Sequence, residues 1–280
     1  MERPTQTTLR EHVAALAALA LVSLAVYHDH WTGARIVSGK DFLTGFHLLL
    51  NFQSDCLQEG SWPLWNPFMN FGFPFVEHYI NSALFPTHLL MGLVTGSSVL
   101  IIQREVLLWV LIGGFGIYLF VRQQGLSAVT GVLAGASFMA CGQVAALPQW
   151  NTLVYNAACF PYLLLGYHRA AVSSRAVNAL SIAFLAFTIL GGYTVTTVLG
   201  IYLFAGYVLI DAALERRFRF AVRYLAATVG IACLLALPKL LPLYAGLNAG
   251  PRLASAAPPP GAPRDAFNII SLYNFWSLLL

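Results

Sequence analysis

Long apolar runs alternate with short polar breaks along this chain. Runs of spanning length occupy residues 10–28, 100–121, 126–146, 152–167, 177–191, 193–212 and 222–241; about 20 predominantly apolar residues carry a helix across a bilayer. A further stretch, "NSALFPTHLLMGLVTGSSV" (81–99), is apolar but holds Pro86, His88, Gly92 and Gly96. Arginine placement decides its role, because basic loops stay on the cytoplasmic side. With a cytoplasmic N-terminus and 81–99 not crossing, Arg122, Arg169, Arg175, Arg216, Arg217, Arg219 and Arg223 all fall in cytoplasmic loops. If 81–99 crosses, every one of them moves outside. The pattern therefore predicts seven spans. Residues 81–99 become a juxtamembrane or re-entrant segment with its backbone covered by protein. Residues 29–99 form a long outer first loop, and the chain from 242 onward is also outside.

Within that loop, residues 42–58 have helical periodicity. Phe42, Phe46, Leu49, Leu50 and Leu57 make one face, and Thr44, His47, Asn51, Asp55 and Gln58 another. Such a helix is expected to lie in the interface plane, its apolar side in the lipid boundary. "EGSWPLWNPFMNFGFPF" (59–75) follows. Its prolines and glycines exclude a regular helix, and Trp62 and Trp65 suit the headgroup level.

Composition agrees with this picture. The chain of 280 residues is 58% hydrophobic and 9% charged, with a mean hydropathy of +0.71; soluble domains carry about 25% charged residues. A net charge of +4 scattered among apolar runs is not a nucleic-acid footprint. Arg3 and Arg10 before "VAALAALALVSLAVY" (13–27), with Ser23-Leu24-Ala25, have features of a signal peptide. The apolar run continues past that point and further spans follow, so an uncleaved first helix is expected. Cys141, Cys159 and Cys233 lie in apolar runs and read as small buried hydrophobes; Cys56 falls in the outer loop. The end of the chain, a Pro/Ala-rich tail followed by "SLYNFWSLLL", reads as the start of another apolar segment and thus as part of something longer.

Asp41 stands soon after the first span, at the start of the amphipathic helix. A carboxylate there has three readings. It caps the helix, it is simply solvated, or it is a general base presented at the membrane surface. "HDH" (28–30) contains metal-ligand residue types, but neighbours on a helix diverge.

The order of a first helix, an outer loop with a membrane-proximal acid, and basic cytoplasmic hairpins resembles the catalytic module of the GT-C glycosyltransferase superfamily. "PLWNPFMNFGFPFVEHYINSALFP" (63–86), "ILGGYTVTTVLGIYL" (189–203) and "LPLYAGLNAGPR" (241–252) are similar to segments of bacterial YfhO-type membrane proteins of that superfamily. The resemblance implies an all-α polytopic membrane protein, a GT-C-like helical bundle forming a single module. It implies transfer of a sugar from a polyprenyl-phosphate-linked donor to an acceptor at the outer face of the bacterial plasma membrane. Asp41 matches the first-loop acid and would be the general base of an inverting displacement. Lys40, Lys239 and Arg252, with Arg35 and Arg104, are candidates to neutralise the leaving phosphate. Glu77 and His78 would line the acceptor pocket, and Trp65, with Trp62, Trp150 and Tyr193, would stack on sugar faces or anchor in the headgroup belt. Some relatives hold a divalent metal with acids from two outer loops; "PQWNT" (148–152) has no acid, so no metal or other cofactor is expected.

Two other classes stay open. A transporter or flippase expects mid-membrane charges or broken helices in matching halves, and the third to sixth spans carry no midplane Asp, Glu, Lys or Arg. A non-catalytic membrane scaffold would tolerate loss of Asp41.

Overall fold

A computed structural model describes residues 8–36, 39, 41–68, 72–76, 82–146 and 150–249. The helices in chain order are α1 (Leu9–Val26), α2 (His28–Thr32), α3 (His47–Gln58), α4 (Pro86–Val94), α5 (Val99–Gln123), α6 (Ala128–Ala140), α7 (Gly142–Ala146), α8 (Asn151–Ser173), α9 (Ala179–Gly191), α10 (Thr194–Leu214), α11 (Phe218–Leu235) and α12 (Leu237–Ala249). A π-helical turn, Phe42–Phe46, leads into α3. Trp65–Asn66 (β1) and Phe73–Pro74 (β2) form one short antiparallel pair.

Helix starts follow from local chemistry. Thr8, Ser98, Ser127 and Asn178 sit in extended backbone before α1, α5, α6 and α9, and their side chains accept from Glu11, Ile101, Thr130 and Leu180 N–H groups. These bonds satisfy donors that a helix leaves unpaired in its first turn. Pro86 opens α4, where a missing N–H costs nothing.

Among the described residues, five helical segments are long and apolar enough to cross a bilayer: Leu9–Val26, Val99–Gln123, Ala128–Ala146, Thr194–Leu214 and Phe218–Leu235. By length and composition the chain is a multi-pass, all-helical membrane protein. The remaining two predicted spans form helices that fall short on those criteria. α9 has 13 residues, about 20 Å at 1.5 Å per residue against a hydrocarbon core of about 30 Å. α8 has 23 residues but mixes Asn156, Pro161, Tyr162, Tyr167 and His168 into its apolar sequence. The nine residues of α4 reach about 13 Å, too short to cross.

α5 is the axis of the bundle: half of its spanning window is buried, against 17–22% for the other four. It packs on α6 and α8, and α8 continues the contact to α9. Backbones meet where glycine permits it. A Cβ on Gly135 of α6 would stand 2.5 Å from the Gly114 carbonyl oxygen of α5. Small residues at such crossings are the usual means of close approach in membranes. One core forms around Leu19, Phe85, Trp109, Tyr118, Met139 and Tyr155, a second around Tyr167, Leu185, Phe204, Val208 and Tyr224. Leu16, Leu21 and Leu24 of α1 and Leu199, Leu203 and Ile210 of α10 are exposed, as residues facing lipid would be.

The amphipathic helix occurs where periodicity places it, but its apolar face is covered by protein. Phe42 and Leu50 pack with Ile102 of α5, and Leu49 with Phe75 and Ala83. Gln53 Nε2 donates to the Ala83 carbonyl at 2.7 Å, and Leu57 crosses Gly92 of α4. Cys141, expected to be buried, is exposed at the break between α6 and α7, whereas Cys159 is buried.

Candidate functional site

Asp41 precedes the π-helical turn with helical backbone and makes no capping bond through its side chain. The carboxylate is exposed. Its Oδ2 accepts a hydrogen bond from the Trp150 indole Nε1–H at 2.8 Å. Trp150 stands immediately before α8, its carbonyl accepting from Leu153 N–H at 2.9 Å. The next two residues, Asn151 and Thr152, are 0% and 1% exposed, so the indole projects from a fixed helix start. Of the three readings of Asp41, capping is the one the geometry does not use. On the next turns His47 Nε2 meets Asn51 Nδ2 at 3.1 Å, and burial pushes the His47 imidazole below its ordinary pKa.

Lys239, on α12, is buried, 4% exposed. Its ammonium donates to the carbonyls of Leu190 (3.1 Å) and Gly192 (3.3 Å) at the C-terminal end of α9, where the helix dipole favours a cation. Asn156 of α8 reaches the same turn, donating to Thr196 Oγ1 at 2.6 Å. Gly192 is pressed against that amide: a Cβ there would lie 2.0 Å from Asn156 Oδ1. Trp65 is 55% exposed on β1, its indole packed over Gly72, whose φ of +94° and close contact both exclude a Cβ.

Lys40, Glu77, His78 and Arg252 lie outside the described residues. Arg35 pairs with Asp29 (Nε to Oδ2, 3.1 Å), which also draws in His28, so the "HDH" stretch spends its acid on an exposed ion pair. Arg104 Nε donates to the Trp31 carbonyl at 3.2 Å. Among the described residues there is no group of three His, Cys, Asp or Glu side chains arranged to hold a metal.

A second polar constellation lies inside the bundle. Glu105 of α5 and His88 of α4 form a pair (Nε2 to Oε2, 2.9 Å) with side chains 3% and 1% exposed. Tyr155 OH donates to Glu105 Oε2 at 3.1 Å, and Thr87 donates to Oε1. Trp109 Nε1 donates to Thr87 Oγ1 at 3.2 Å, and Ser82 Oγ meets His88 Nδ1 at 2.8 Å. Phe85 stacks on Tyr155, centroids 4.4 Å apart, sealing the cluster. Every polar member has a partner, as buried groups require. In the sequence Glu105 stands next to Arg104, where a local charge pair is the simplest arrangement. Adjacent helical positions point about 100° apart, so Arg104 faces out and Glu105 in. The signal was there to be read: an acid within an apolar run is expensive unless partnered.

No family model, no curated protein and no solved structure matches this chain.

Proposed function

We propose that this chain is a membrane glycosyltransferase. It takes a sugar from a polyprenyl-phosphate-linked donor and passes it to an acceptor at the outer face of a bacterial plasma membrane, with the N-terminus cytoplasmic. One observation carries this reading: the Asp41 carboxylate is solvent-exposed, is not consumed as a helix cap, and among the described residues is held only through Oδ2. Among the described residues Oδ1 has no hydrogen-bond donor, which leaves it to take a proton. The acceptor hydroxyl oxygen forms a bond to the sugar C1 while the bond from C1 to the phosphate oxygen breaks. The hydroxyl proton goes to Asp41, and the lipid phosphate departs with the electron pair, inverting C1. The phosphate is a good leaving group, so one base and nearby cations suffice. Lys40, adjacent to Asp41, and Arg252 are the cations assigned to it. Glu77, His78 and Trp65 are assigned to the acceptor and sugar. Lys239 keeps a structural duty in this scheme, because its ammonium already serves two helix carbonyls.

The test is transfer from a synthetic undecaprenyl-phosphate-linked hexose by the purified protein in liposomes. Asp41→Asn lowers transfer by about 10²- to 10⁴-fold with thermal stability retained; wild-type turnover by that variant removes Asp41 from the mechanism. A second reading, a transporter or flippase, is favoured by the buried His88–Glu105 pair, since ionisable groups inside a bundle often line transport paths. Under that reading Glu105→Gln stops substrate movement and Asp41→Asn does not.

A further inference from the structure

We infer that Trp150 is a positioning residue for Asp41, an inference that rests on the glycosyl-transfer reading. The two side chains come from outer segments 109 residues apart and meet edge-on, indole N–H to carboxylate oxygen, at 2.8 Å. An indole N–H donates and never accepts, so it ties one carboxylate oxygen and leaves the other, among the described residues, without a donor. An exposed aspartate otherwise samples several χ1 and χ2 wells, and each misoriented well is unproductive. The support behind Trp150 is rigid, through the buried Asn151 and Thr152 and the carbonyl bond to Leu153. Behind Asp41, the π-helical turn is fixed by Phe42, 1% exposed, against Ile102 and Leu50. Two anchored segments thus converge on one hydrogen bond at the protein surface. The role uses the edge of the indole, which separates it from sugar stacking on the ring face and from headgroup anchoring.

The experiment measures conversion of the undecaprenyl-phosphate-linked hexose donor to free undecaprenyl phosphate in liposomes for wild type, Asp41→Asn, Trp150→Phe and Trp150→His. Trp150→Phe keeps an aromatic face and removes the N–H. It is expected to lower kcat by about 10- to 100-fold, the range for a misplaced catalytic group, with KM for the donor unchanged. Trp150→His restores a ring N–H and recovers part of that loss. In parallel, the 15N–1H indole resonance of Trp150 shifts in Asp41→Ala, which removes its acceptor. Wild-type kcat in Trp150→Phe, or an unmoved indole resonance, overturns the positioning role and leaves the transferase reading intact. A rise in KM with kcat preserved shows stacking instead and also overturns it. Wild-type protein without Asp41-dependent transfer overturns the transferase reading, and the positioning role falls with it.

Discussion

Trp150 Nε1 lies 2.8 Å from Asp41 Oδ2, and this contact joins the segment between α2 and α3 to the start of α8. It is the point where an exposed acid acquires a defined direction. Asp41→Asn keeps an acceptor for the indole but removes the group that the proposed transfer uses as its base. Its unfolding midpoint should stay within the range of ordinary surface substitutions, about 0.5 kcal/mol, while transfer falls by about 10²- to 10⁴-fold, the usual worth of general-base catalysis. Parallel thermal unfolding and turnover assays check both halves.

Breaking the buried pair has the opposite signature. Glu105→Ala leaves His88, Tyr155 and Thr87 without their acceptor in a closed site. Leaving a buried donor without its acceptor costs about 1–3 kcal/mol. The variant should unfold well below wild type in detergent, and α4, which holds His88, should gain susceptibility to proteolysis. Glu105→Gln, which retains an oxygen acceptor, should lose less.

At the α5–α6 crossing there is no room for a side chain. Gly135→Val places branched carbons where the Gly114 carbonyl oxygen stands. Overpacking typically costs about 1–3 kcal/mol, sometimes more. A lowered unfolding midpoint with Gly135→Val, and a smaller loss with Gly135→Ala, is expected; equal stability of both with wild type would mean the helices are farther apart.

Lys239→Met keeps the apolar stem and removes the ammonium from the carbonyls of Leu190 and Gly192. Unsatisfied buried carbonyls cost about 1–3 kcal/mol. The variant should be less stable yet retain donor KM, because the scheme assigns the phosphate to other cations. A large KM rise at unchanged stability would return Lys239 to the donor site.

Orientation is testable with single cysteines in a cysteine-free background. Ser61→Cys, exposed after α3, should react with an impermeant maleimide from outside, and Ser173→Cys, exposed at the end of α8, only after the cytoplasmic side is opened. Outer labelling at 173 would invert the topology.

Membrane class, helical content and the position of nearly every long helix could be read from the linear order of residues, because hydropathy and 3.6-residue periodicity are local properties. So could the amphipathic stretch 42–58 and the shortness of 81–99, broken by proline and glycine. Asp41 could be singled out by its place between span and loop. What covers the apolar face of α3 could not, because lipid and Ile102 offer that face the same chemistry. Nor could the partner of Glu105: His88 and Tyr155 are 17 and 50 positions away, and only helix packing brings them to it. The indole that meets Asp41 and the carbonyls that hold Lys239 belong to the same category. Local pattern determines which segments become helices and which side is apolar. Contacts between polar groups distant in the chain depend on how those helices are rotated and stacked, and that is settled by packing.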